Sequence, residues 1–138
     1  MNMKNCRNII LAAAVLAAAS SCSDKVQIKG TIAGAPDTQV VVKQLNGGAL
    51  VALDTVKTDG KGAYSYSVEV LKGQPQFIYL YKGDTKVASL LLQKGDKVKV
   101  ASDTLGKYSV EGSAESERLR QVEEDFAAFL DKFTADAA

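Results

Sequence analysis

The thiols of Cys6 and Cys22 are the strongest nucleophiles this sequence offers, and they do not form a Cys-x-x-Cys pair. Histidine is absent, which removes the usual general base of hydrolases and the commonest transition-metal ligand. Asp54, Asp59, Asp84, Asp96 and Asp103 lie at or near turns, with no alternating-acid loop to gather them around calcium. Asp59 in "TDGKG" and Asp96 in "KGDK" read as turn formers whose carboxylates bond their own backbone. A hydrolase built on paired carboxylates would have only these scattered aspartates to draw on. The glycines of "DGKG" are not followed by the Lys-Ser/Thr and helix of a phosphate loop. No catalytic residue, metal or cofactor is therefore expected, and the chain is expected not to be an enzyme.

The chemistry left to Cys22 is acylation. Lys4 and Arg7 form a positive start, Ile9 to Ala19 is an unbroken apolar stretch, and small residues lead to Cys22 in "AAASSCSDK". The apolar stretch is shorter than the roughly 20 residues that span a bilayer as a helix. The motif resembles a bacterial lipobox, with Ala19 where a branched residue is usual. Residues 1–21 are accordingly expected to be a lipoprotein signal peptide, with residues 22–25 a lipid-anchored linker. Several acyl chains hold a protein far more firmly than one, at about 0.8 kcal/mol per buried methylene. Under this reading Cys6 leaves with the leader and lipid consumes the Cys22 sulfur, so no free thiol remains. Ser23 rather than an acid follows the anchor, and only Asp24 is acidic nearby. The expected location is the cell envelope, on the periplasmic face of the outer membrane.

Aromatic side chains give the remaining candidate site. Tyr64 and Tyr66 share one strand face, and Phe77, Tyr79 and Tyr81 share one face of the next. Tyr64, Tyr66, Tyr79 and Tyr81 would make a stacking platform for sugar rings if exposed; as the inner layer of a sandwich they are simply core. The core is the leading expectation, because a domain without tryptophan must fill its interior with something.

Apolar residues recur at a period of two from Lys25 to Val110, between turn signals at "GAPD", "LNGG", "DGKG", "KGQP", "KGD" and "DTLG". This predicts an all-β domain over 26–112, an antiparallel β-sandwich of about seven to eight strands. From Ser113 to Ala138 the period changes. Leu119, Val122, Phe126, Phe129, Leu130 and Phe133 fall on one helical stripe, with Ser113 as N-cap and Glu115 and Glu117 in the first turn. One amphipathic C-terminal helix is therefore predicted over 113–138. Residues 113–138 carry a net −4 and residues 22–112 a net +3. With an overall charge of +1 and no basic run, nucleic-acid binding is not expected.

The segments "IKGTIAGAPDTQVVVKQLNGG" and "LLLQKGDKVKVASDTLGKYSVEGSAESERLRQVEEDF" together resemble the DUF4369 family. The resemblance implies an N-terminal β domain of envelope lipoproteins in Gram-negative gut-type bacteria. In that family a thioredoxin-like domain of thiol-disulfide oxidoreductase or peroxiredoxin type commonly follows the helix, and it is absent from this sequence. The chain is then a stand-alone relative or the front of a longer product. The expected role is a non-enzymatic spacer or docking module for a redox domain or partner. Phe126, Phe129 and Phe133 would meet that partner, and "GSAES" would provide a flexible exit. The alternative is a carbohydrate- or peptide-binding periplasmic lipoprotein.

Overall fold

The computed structural model describes residues 24–137; Cys22 and the leader lie outside the described residues. Among the described residues eight strands precede one helix: β1 Lys25–Ile32, β2 Gln39–Asn46, β3 Ala49–Lys57, β4 Ala63–Glu69, β5 Gln76–Lys82, β6 Thr85–Leu92, β7 Lys97–Ser102, β8 Tyr108–Glu111 and α1 Ala114–Ala137. They form two four-stranded sheets, ordered β4-β1-β7-β8 and β3-β2-β5-β6. The pairings are antiparallel with one exception, β1 against β7, which run parallel with Lys29 beside Lys99. The antiparallel β-sandwich expected from the sequence is thus present, with this one parallel pair inside it. Alternation along a strand fixes which face is buried but not which strand lies alongside, so the parallel pair left no mark in the pattern.

Alternation does place the core. Val26, Ile28 and Ile32 of β1 are buried while Lys25, Gln27, Lys29 and Thr31 between them are exposed. Val40 and Val42 of β2, Ile78 and Leu80 of β5, and Val98 and Val100 of β7 fill the space between the sheets. Each such side chain contributes roughly 1.5–3 kcal/mol by leaving water. Tyr64 lies on the inner face above Gly30, where a Cβ would come within 2.1 Å of the ring; glycine is the residue that admits the tyrosine. Strand β6 breaks the alternation, with Val87, Ala88, Ser89 and Leu90 all buried, because α1 covers its outer side.

The two long edges of the sandwich are treated differently. Helix α1 packs against β6 and β8 and closes one edge. At the other, β3 approaches β4 only sparsely and is exposed along nearly its whole length. A tight turn at Gly47 and Gly48, both at positive φ, joins β3 to β2, and a register shift at Val42/Lys43 bends the pair.

The strands also define two poles. Asp24 accepts a hydrogen bond from the Val70 N–H at 2.6 Å and pairs with Lys94 at 2.7 Å, so the start of β1 shares a pole with the turns near Leu71 and Lys94. The tip of the β2–β3 hairpin is at this same pole, since Gln44 bonds Gln76 and both line a groove with Lys25 and Leu71. The opposite pole carries the Asp59–Gly62 and Asp103–Lys107 turns, where Ile32 bonds Gly62 and Ala33 bonds Ser102.

Candidate functional site

Helix α1 begins near the first pole and runs toward the second, held by polar groups. Ser113 caps it: its hydroxyl accepts the Ser116 N–H at 3.3 Å and donates to Ser116 Oγ at 2.8 Å. Ser116 Oγ in turn accepts the Leu91 N–H at 3.0 Å and donates to the Leu91 carbonyl at 3.1 Å. The two serines thus satisfy the N–H and C=O of Leu91 on edge strand β6, which would otherwise be left unpaired under the helix. Both are buried, so "GSAES" is a fixed junction rather than the flexible exit expected from its small residues.

Two turns further on, Glu123 makes the second attachment. Lys86 Nζ donates to its Oε2 at 2.7 Å, Ser89 Oγ to Oε2 at 2.8 Å and Tyr108 Oη to Oε1 at 2.6 Å. One carboxylate therefore ties α1 to β6 of one sheet and β8 of the other. Burial raises the Glu123 pKa, but the bonds from Lys86, Tyr108 and Ser89 and the Lys86 charge outweigh it, leaving the carboxyl below its ordinary 4.5. Tyr108 is pushed well above an ordinary phenol, first by burial and then by the adjacent carboxylate.

This arrangement inverts the usual amphipathic helix. Ser116 and Glu123 face the sandwich, and at 3.6 residues per turn Val122, Phe129 and Phe133 lie roughly a quarter turn or more away from Glu123. Val122, Phe126, Phe129 and Phe133 are 60–64% exposed, and Leu119 alone of the stripe is half-buried near the sandwich. Phe129 and Phe133 stack on each other with centroids 6.3 Å apart. Beyond Glu123 the helix passes the second pole, and a groove of about 430 Å³ opens between Phe126, Ala127 and Leu130 on the helix and Gly106, Lys107 and Tyr108 below. Leu105, at the tip of the adjoining turn, is 87% exposed. The result is an uncovered apolar surface centred on Phe126, Phe129 and Phe133.

The four tyrosines do not share a surface. Tyr64 is 6% exposed and Tyr66 half-buried, both on the inner face of β4. Tyr79 and Tyr81 stand with Phe77 on the outer face of β5, opposite buried Ile78 and Leu80, so they are not the inner layer that was expected. Strand β5 puts its aliphatic residues inward and its aromatic ones outward. Phe77 stacks on Tyr79 at 6.4 Å, and Lys43 sits over the Tyr81 ring at 4.1 Å. A single platform of all four is ruled out by these positions.

Among the described residues no three acids converge to hold a metal ion. Asp59 Oδ1 accepts the Lys61 and Ala63 N–H groups at 2.8 and 3.0 Å, and these bonds lower its pKa. Asp103 Oδ1 accepts the Leu105 and Lys107 N–H groups at 2.9 and 3.0 Å, and Asp96 accepts the Gln93 N–H. Cys22 lies outside the described residues.

Sequence reasoning missed Glu123, Tyr108, Ser89, Lys86 and Ser116. Ser116 and Glu123 are seven apart on one helix face, a polar seam beside the apolar stripe that marks the side the helix presents to a sheet edge. No curated protein matches the chain. The model of a domain of unknown function, DUF4369, matches residues 26–119, which span the sandwich and the start of α1 as far as half-buried Leu119. With that match over more than half of its length, the chain belongs to the DUF4369 family.

Proposed function

We propose that this protein is a non-catalytic, lipid-anchored envelope module that holds a docking surface away from the membrane. The observation that carries this reading is the inverted helix: α1 is fastened by Ser116 and Glu123, and Phe126, Phe129 and Phe133 are left uncovered. Three exposed phenylalanines on one stripe are the anchors that protein interfaces bury at their centres. The surface lies at the pole opposite Asp24, so acyl chains on Cys22 and a partner on the stripe occupy opposite ends. The sandwich between them is the spacer. The partner we assign is a thioredoxin-like redox domain, on the family resemblance alone, in the same chain or a separate one. The absence of histidine and of a Cys-x-x-Cys pair supports a module without chemistry of its own.

Site-specific photocrosslinking in living cells tests the reading. A crosslinker at Phe129 is expected to give an adduct with a thioredoxin-like envelope protein, and one at exposed Gln27 on β1 is not. The same adducts from both positions, or neither an adduct nor an internal crosslink to such a domain from Phe129, would refute it.

A further inference from the structure

We infer that the tip of the β2–β3 hairpin is a second membrane contact, resting in the interfacial zone of a phospholipid bilayer beside the lipid on Cys22. The inference rests on the lipid-anchor reading. Residues 44–53, "QLNGGALVAL", contain no charge. Leu45, Leu50, Val51 and Leu53 are 37–45% exposed, and among the described residues the only other exposed large apolar side chains are Leu71, Leu105 and the helix stripe. Leu71 is at the same pole, lining a groove of about 440 Å³ with Leu53. The molecule thus has two apolar surfaces at opposite ends, and the helix accounts for one.

Position selects the bilayer for the other. Asp24 is pinned by the Val70 N–H and by Lys94, and only Ser23 separates it from Cys22. Two extended residues reach about 7 Å, so acyl chains on Cys22 hold this pole against the headgroups whatever else happens. Leu45, Leu50, Val51 and Leu71 are then the exposed large apolar side chains at the pole that faces the lipid. Lys72, exposed beside Leu71, complements anionic headgroups. Gly47 and Gly48 make the tip narrow, with no side chain to obstruct entry. Pairing with another protein strand is disfavoured along β3, where the bulge at Val42/Lys43 and the charge of Asp54 interrupt the edge. An uncharged apolar tip flanked by a cation, lying at the interface rather than across it, is what a surface-seated element requires.

The eight strands and the helix that build the sandwich all lie C-terminal to Cys22, so a chain starting at Cys22 keeps them, and Cys22 is its one thiol. Coupled through that thiol to a maleimide phospholipid in phosphatidylethanolamine–phosphatidylglycerol vesicles, it is anchored independently of cellular processing. The chain lacks tryptophan, so Leu50→Trp and Leu105→Trp each report one pole. The expected result is a blue shift for the Leu50→Trp variant and loss of its emission with brominated acyl chains, with neither for Leu105→Trp. Water-like, unquenched emission from the Leu50→Trp variant would overturn the inference, and so would a blue shift without bromine quenching, which signals a protein covering the hairpin. Failure of the anchor reading has a separate signature, a Cys22 without acyl mass in protein taken from cells.

Discussion

Tyr108 donates its phenolic hydrogen to Glu123 across 2.6 Å, joining the last strand of one sheet to the middle of the C-terminal helix. Because Lys86 and Ser89 of the other sheet reach the same carboxylate, Glu123 closes the sandwich edge as well as placing the helix. Glu123→Gln keeps the shape and removes the charge. It is expected to lower stability by about 1–2 kcal/mol, a value discounted for partial exposure of the group. Urea denaturation measures this.

The same carboxylate predicts a pH dependence. Its folded pKa lies below the ordinary 4.5, so its stabilising contribution is present above that value and is lost as pH falls through the folded pKa. Wild-type protein should therefore lose stability more steeply than the Glu123→Gln variant as pH drops below about 4.5. Parallel curves for the two proteins, from thermal melts across pH 3–6, would dissociate Glu123 from the effect.

Ser116→Ala removes the group that bonds both the N–H and the C=O of Leu91. The Leu91 carbonyl keeps the Ser113 hydroxyl within reach at 3.2 Å, so the N–H alone is left unpaired under the helix, which should cost about 1–3 kcal/mol. Ser109→Ala on exposed β8 backbone should change stability by less than about 0.5 kcal/mol. Equal effects for the two serines in denaturant titrations would contradict the role given to Ser116.

How much of this was legible in the sequence depends on what each residue answers to. Val26, Ile28 and Ile32 respond to burial on one face of a strand, and their period of two gave away β1 and its inner side. The stripe from Leu119 to Phe133 likewise identified α1 and its apolar face. What periodicity does not carry is which neighbour an apolar face meets. The helix stripe and the Phe77–Tyr79–Tyr81 row have core-like patterns, yet both point away from the core. The Glu123 clamp joins groups 15 to 37 residues apart, so no local pattern gathers it. The parallel β1–β7 pair is hidden for the same reason.

Tyr64 gives a test of the core. Its hydroxyl is buried with no hydrogen-bond partner among the described residues. Tyr64→Phe should then be neutral or stabilising, because it removes an unpaired polar atom. Gly30→Ala should destabilise by about 1–3 kcal/mol or more, since the new Cβ would overlap the phenol end of buried Tyr64 and a sheet backbone has little room to yield. Thermal unfolding of both variants checks the pair; a destabilised Tyr64→Phe would mean that the hydroxyl has a partner.

The anchor has its own test. Cys22→Ala should release the protein into the soluble fraction or leave its precursor uncleaved. A variant processed and fractionated like the parent would remove the lipid from the account.

Amide hydrogen exchange along α1 in the isolated protein tests the central claim, that the helix is clamped at its start and uncovered beyond. Protection comparable to that of strands β1 and β6 is expected from Glu117 to Glu123, with a steep fall from Phe126 to Phe133, where the stripe is exposed. Protection across Phe126–Phe133 equal to that of the core strands would show a helix already fully covered, and would contradict the docking surface.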